Sequence, residues 1–235
     1  MKKIGIVIGL IVLIFAVYGI YQSPLFRIQS IEFNSSYDMD LDTLMVHTGL
    51  EIGTLYFSVD VEKIREGLLR HPFVKNAAVN KVFPNSVKIE IEYRQHFVTV
   101  RYLDVLISID DEMVVLGVLN KARDGFVIEG IPFETYSAGR VIDVVRLYVL
   151  QNIISYVKLF NLAKMTPDRV IRFKDNCILF QIEGITVNFG LGENYEKRFN
   201  DFVVIYNSLK EDGVDSGTID ISSDGSPGYQ PFGER

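Results

Sequence analysis

Tryptophan is absent from the 235 residues, cysteine occurs once and histidine three times. A single cysteine permits no disulfide within the chain, so any exported body must be held together by its core alone. That cysteine, Cys177, lies in the apolar run CILFQI ahead of Glu183-Gly184, and reads as a buried strand thiol rather than a nucleophile. His47, His71 and His96 show neither i, i+4 nor metal-finger spacing, which leaves a zinc site without support. No G-x-S-x-G, S-x-x-K or phosphate-cradling glycine loop occurs. Gly190-Leu191-Gly192 lacks the distal glycine and the βαβ setting of a dinucleotide site, so it reads as the turn into a helix. Asp110, Asp111 and Glu112 stand in a row in a hairpin, where acids are ordinarily solvated. No catalytic, cofactor or metal-binding residue is assigned. Basic charge is also short, 24 Lys and Arg against 30 Asp and Glu, for a formal charge of −6. Without Lys2 and Lys3 the balance is 22 against 30, or −8. Nucleic acid, which needs a basic face, is excluded as a main partner.

The hydrophobic content of 48% over this length supports two modest domains with their own cores. Ile4 to Tyr21 carries no charge, and at about 1.5 Å per residue it spans about 27 Å, close to a bilayer core of about 30 Å. Lys2 and Lys3 precede it and only Arg27 follows closely, so the positive-inside bias keeps the N-terminus cytoplasmic and sends the body across. The apolar run exceeds a usual signal-peptide h-region, and Ala16-Val17-Tyr18 lacks the second small residue of a cleavage site. An uncleaved transmembrane helix over 4–22 is therefore favoured over a signal peptide, with residues 1–3 as its cytoplasmic tail.

Asp60 to Arg94 is the most ordered stretch to the eye. Ile64, Leu68 and Leu69 recur on one helix face behind Asp60 as N-cap, and His71-Pro72 stops the helix. Val74 to Phe83 reads as a strand and Pro84-Asn85-Ser86 as a turn. Val87, Ile89, Ile91 and Tyr93 then alternate with charged residues in a second strand. Upstream, FRIQSIEFN is a strand candidate, and Asp40 to Thr48 has helical spacing closed by Gly49. The order β-α-α-β-β, two helices on one face of a three-stranded sheet, is the POTRA architecture.

Ile28 to Val98 resembles the POTRA segment of the bacterial division proteins FtsQ and DivIB. The resemblance rests on the F-x-I-x-x-I-x-F entry and the T-G-L-x-x-G-T-L-Y turn at Thr48 to Tyr56. It continues through His71-Pro72-Phe73-Val74-Lys75-Asn76-Ala77 and the F-P-N-S-V-x-I-x-I run from Phe83 to Ile91. Ile107 to Asp110 followed by Val114 to Leu116, Gly190 to Gly192 before a helix, and Thr218 to Ile221 near the end are similar to later family segments. This chain departs from the family at Tyr93-Arg94-Gln95-His96, where E-R-x-P is usual, and at Ser222, where the last strand usually ends in arginine.

The remainder reads as a β-rich domain over 96–222, following a POTRA domain over 23–95 and preceding a C-terminal tail over 223–235. Strands are expected at Phe97 to Tyr102, Val105 to Ile109, Met113 to Leu116, Phe126 to Ile131, Val170 to Phe173, Cys177 to Ile182, Ile185 to Phe189 and Gly217 to Ser222. Val141 to Leu162 and Tyr195 to Leu209 are expected helices, the second with Phe199, Phe202, Val203 and Tyr206 on one stripe. The fold class is thus α+β: an N-terminal transmembrane helix, POTRA, then antiparallel strands with flanking helices.

A terminal strand at Gly217 to Ser222 would leave one edge open as a template for an incoming strand. The resemblance implies that division partners of the FtsB/DivIC and FtsL type dock there. Carried over by position, the partner-binding residues are Thr218, Ile219, Asp220, Ile221 and Ser222, with Tyr206 and Leu209 on the preceding helix and Tyr229 in an aromatic segment beyond. The plain alternative is a protected edge and a disordered tail. POTRA is implied to recruit other division proteins; Lys75, Lys81 and Lys88 are candidates for its charged face, or simply solvated strand residues. The resemblance implies a non-enzymatic scaffold at the division septum. Two other readings stand: a POTRA-bearing chaperone of outer-membrane assembly, and an anchored extracytoplasmic hydrolase.

Overall fold

Lys2–Tyr21 forms a 20-residue helix, α1. In this computed structural model the described residues are 2–35, 46, 48–223 and 227–232, with side chains described from Ile6 onward apart from Ser35. The backbone of α1 is about 30 Å long, and its side chains from Ile6 to Tyr21 are exposed. Among the described residues no helix is long and apolar enough to cross a membrane. The chain divides into two compact units, Met1–Arg94 and Gln95–Arg235.

In the first unit, β1 (Ser30–Ser35), α2 (Val61–Leu69), β2 (Val74–Val82) and β3 (Ser86–Tyr93) follow α1. The sheet order is β1-β3-β2, with β3 parallel to β1 and antiparallel to β2. Asp60 caps α2 as its spacing predicts, its carboxylate accepting from the Lys63 amide at 3.1 Å. Ile64, Gly67 and Leu68 are the buried face of α2. Ile64 and Leu68 join a core with Ile28, Val74, Ala77, Val87, Ile89 and Ile91. Alternation along β3 sends Val87, Ile89 and Ile91 inward, so the strand is central because one whole face of it is apolar. The helix expected over Asp40 to Thr48 lies outside the described residues except at positions 46 and 48.

The second unit holds a sheet of nine strands among the described residues. They are β4 (Val98–Tyr102), β5 (Val105–Ile109), β6 (Val115–Leu119), β7 (Phe126–Glu129), β10 (Val170–Lys174), β11 (Cys177–Ile182), β12 (Ile185–Asn188), β13 (Gly217–Asp220) and β14 (Gly228–Gln230). Their order is β14-β13-β12-β11-β10-β7-β4-β5-β6. The hairpins are antiparallel, but β7 is parallel to both β4 and β10, and β12 is parallel to β13. Two helices, α3 (Leu147–Leu162) and α4 (Tyr195–Glu211), pack their apolar stripes on one face. Tyr156 and Phe160 of α3, Phe180 and Phe189 beneath them, and Phe199 and Phe202 of α4 form a continuous aromatic core. Centroids are 4.1 Å apart for Tyr156 and Phe189 and 5.0 Å for Phe160 and Phe199. Each such ring contributes about 1.5–3 kcal/mol by leaving water.

Three expectations need correction. Val141 to Val145 is not helical: Ile142 and Val144 are buried between exposed neighbours, a period of two, and β9 (Asp143–Val144) pairs with β8 (Phe133–Thr135). Met113 has φ +66 and turns the chain, so β6 begins at Val115 rather than Met113. Residues 223–235 are not simply a tail, because Gly228–Gln230 is a strand of the sheet.

Candidate docking site at the terminal strands

The last stretch of the sheet is built by β11, β12, α4, β13 and β14 in turn. Glu183 and Gly184, both with positive φ, turn β11 into β12, the geometry a two-residue hairpin demands. α4 then carries the chain back so that β13 lies parallel to β12, Ile185 facing Gly217 and Asn188 facing Asp220. Arg198, buried in α4, fastens the far end of this pair. Its guanidinium donates to the carbonyl of Phe189 at 2.8 Å and to that of Ser222 at 3.0 Å. The Asp220 carboxylate accepts from the Ser222 amide at 2.9 Å, closing the exit of β13. Arg198 is invisible to sequence reasoning: it follows the exposed Lys197, and only the one-residue turn of the helix face separates them.

The outer edge of β13 is not open. β14 covers it as an antiparallel strand, with Thr218 opposite Gln230, Ile219 opposite Tyr229 and Asp220 opposite Gly228. The expectation that Gly217 to Ser222 presents a free edge is therefore corrected; Tyr229, expected beyond the strand, is in the ladder. Its hydroxyl donates to the Ser216 carbonyl at 2.6 Å. Its ring rests on Gly217, where an added Cβ would stand 2.5 Å from ring Cε2. Pro227 and Pro231 flank β14 and supply no amide protons, so the cover cannot lengthen.

The remaining site residues divide by face. Ile219 and Ile221 are buried in the core, and Thr218, Asp220 and Ser222 are half-buried on the opposite side of β13. Tyr206 is buried too, its hydroxyl donating to Glu183 at 2.9 Å, and burial foremost, then that bond, pushes the phenol up to about 12. Lys210 pairs with the same carboxylate at 2.6 Å, and with Tyr206 it holds Glu183 below the usual carboxylate range. Leu209 is partly buried against the same core. The apolar side chain that α4 does present to solvent is Val204, which lies off the stripe read from sequence.

Elsewhere the singled-out residues have structural partners. Asp110 is buried and accepts from the amides of Glu112 at 2.9 Å and Val114 at 2.8 Å, while Asp111 pairs with Lys158 at 3.1 Å. His96 Nδ1 lies 2.8 Å from the Ser108 hydroxyl. Lys88 pairs with Glu90 at 2.6 Å, and Lys81 donates to the Val59 carbonyl at 3.1 Å. Cys177 is half-buried on the helix-free face of β11 rather than buried, since alternation gives the inward position to Ile178. Among the described residues no group of three or more His, Cys, Asp or Glu could hold a metal ion.

Residues 26–94 match the family model of the POTRA domain, FtsQ-type. The chain is 27% identical over 113 residues to the cell division protein FtsQ of Corynebacterium glutamicum, covering 47% of this chain and 51% of that one. It is 31% identical over 84 residues to DivIB of Bacillus cereus, covering 36% and 32%. Over 211 residues it is 22% identical to DivIB of Clostridium acetobutylicum, covering 88% and 83%. Over these stretches the chain is similar to cell division proteins of the FtsQ and DivIB type. The matched stretch spans about half of the corynebacterial FtsQ and about a third of the bacillar DivIB proteins.

Proposed function

We propose that this chain is a membrane-anchored scaffold of the divisome that holds partners of the FtsB/DivIC and FtsL type at the septum. In this reading residues 1–3 are cytoplasmic, 4–22 form the anchor, and the POTRA (23–95) and β-rich (96–222) domains lie outside the cytoplasmic membrane. The 20-residue α1, whose side chains from Ile6 to Tyr21 are exposed and apolar, supports the anchor. Docking is by strand addition at β13, and it requires β14 to leave. The observation that carries this is the short cover itself: three residues between two prolines make a poor template for a further strand but a weak competitor for the edge beneath it. Main-chain hydrogen bonds along Gly217 to Asp220 supply the affinity, and Thr218, Asp220 and Ser222 on the open face supply selectivity.

The test is a reversible lock. Directly opposed residues in an antiparallel pair sit about 4.5–5.5 Å apart at Cα, within the span of a disulfide. Thr218→Cys with Gln230→Cys, in the full chain with Cys177→Ser, should bind a co-expressed FtsB/DivIC-type partner when reduced and lose it when oxidised. Equal binding in both states would move the docking site off this edge. The POTRA domain would then be the surface to examine.

A further inference from the structure

We propose that the membrane-proximal end of the POTRA domain is seated in the lipid interface, through an aromatic cluster that the fold gathers at the foot of α1. This rests on the reading of α1 as an anchor.

Three separate segments contribute rings. Tyr21 ends α1 and stacks on Phe57 at 5.2 Å; Phe57 also meets Phe26 at 5.3 Å and Tyr56 at 5.4 Å. Phe83, in the turn between β2 and β3, closes the set at 5.8 Å from Phe26 and 6.0 Å from Tyr56. Tyr56 packs against the domain's core, but the outer rings stand away from it: Phe83 is 67% exposed, Phe57 46% and Tyr21 39%, and Leu25 beside them is 55% exposed. A contiguous exposed apolar patch of this kind marks a surface that meets a partner or a membrane. At the membrane boundary the same rings lie at the depth that suits an amphipathic aromatic, continuous with the apolar surface of the helix that enters the bilayer.

The link between α1 and the sheet is short and hydrogen-bonded along its length. Ser23 Oγ accepts from the Leu25 amide at 3.3 Å and begins a single helical turn, Pro24–Phe26. Arg27 then bridges to Leu55 and donates to the Gly53 carbonyl at 3.0 Å. Lys81 sits over the Tyr56 ring at 5.4 Å. Lys81, and Arg27 next to Phe26 in the chain, are cations such as basic side chains supply beside anionic headgroups. The occupant of the face is thus the headgroup region of the bilayer that α1 enters.

The absence of tryptophan allows a clean test. Single variants Phe83→Trp, Leu25→Trp, Phe73→Trp and Phe15→Trp are placed in the full chain, checked for folding by circular dichroism, and reconstituted into phosphatidylcholine–phosphatidylglycerol vesicles with acyl chains brominated near the headgroups. Phe73 precedes β2 and Phe83 follows it, about 30 Å apart along an extended strand. The expected result is strong quenching and a blue-shifted emission at positions 83 and 25, quenching at 15, and none at 73. Quenching at 15 without quenching at 83 or 25 overturns the seating while leaving the anchor in place. Equal quenching at 83 and 73 overturns the assignment of this end. An unquenched position 15 overturns the anchor reading, and the seating with it.

Discussion

The ring of Tyr229 occupies the space over Gly217 that a side chain there would fill. Gly217 has φ +136, a conformation that L side chains rarely adopt, so two independent reasons favour glycine at the first position of β13. Gly217→Ala should destabilise the second unit by about 1–3 kcal/mol from backbone strain alone, with a further loss from the displaced ring. Tyr229→Ala removes that ring. In denaturant titrations the double variant should therefore cost less than the sum of the singles, and strict additivity would show that ring and glycine do not meet.

Arg198 offers a second prediction. Replacing it by Met keeps much of the apolar volume but leaves the Phe189 and Ser222 carbonyls without its donors. The expected loss is about 1.5–3 kcal/mol, the scale of hydrogen bonds from a charged donor. Hydrogen exchange should localise it to the amides of Ile221 and its neighbours at the exit of β13; a uniform change across the sheet would count against a fastening role.

The two units should respond separately to a helix cap. Asp60→Ala removes the acceptor for the Lys63 amide and should cost about 1 kcal/mol. Exchange protection should fall in α2 and in β2 and β3 packed against it, with the second unit unchanged. Loss of protection in both would mean that the units unfold as one.

Tyr206 and Glu183 set opposite pH limits. The Tyr206 phenol rises from about 10 when unfolded to about 12 when folded, so the folded state holds its proton more tightly. Its contribution is present below pH 10 and is lost as pH climbs towards 12. Glu183, held low by Lys210 first and Tyr206 second, contributes above the usual carboxylate range and loses this as pH falls through its depressed value. Tyr206→Phe should remove the alkaline loss, and Glu183→Gln should flatten the acid one, both read from urea midpoints across pH. An unchanged alkaline limb in Tyr206→Phe would reassign the loss, with Tyr156, also raised by burial, next in line.

Periodicity made β3 and α2 legible, because each buries one face and the chain must write that face in its residues. The stripe Phe199, Phe202, Val203 and Tyr206 was legible for the same reason, and the burial it signals turns Tyr206 into the core, its hydroxyl on Glu183. β14 was not legible: three residues between prolines are too few to show a period, and what holds Tyr229 is a glycine twelve positions earlier in the chain. Val141 to Val145 misled because its apolar residues join those of α3 without a break, and only the exposure of alternate positions separates them. The aromatic foot of α1 was scattered over three segments, each unremarkable alone. Strand order was the least accessible feature, since nothing in Phe126–Glu129 states that its neighbours are parallel on both sides.

That placement of β7 governs how the sheet can assemble. β4 to β6 and β10 to β12 are each meanders of neighbouring strands, whose short loops close on the microsecond scale of hairpins. β7 alone stitches them, through parallel ladders to β4 and to β10 that need long excursions of chain before they can form. Loop-closure entropy therefore weighs more on the meeting of the two halves across β7 than on the hairpins within either. A chain delivered from its N-terminus can complete the first half early, but it must wait for Val170–Lys174 before the seam closes, and β13 with its cover β14 is added after that.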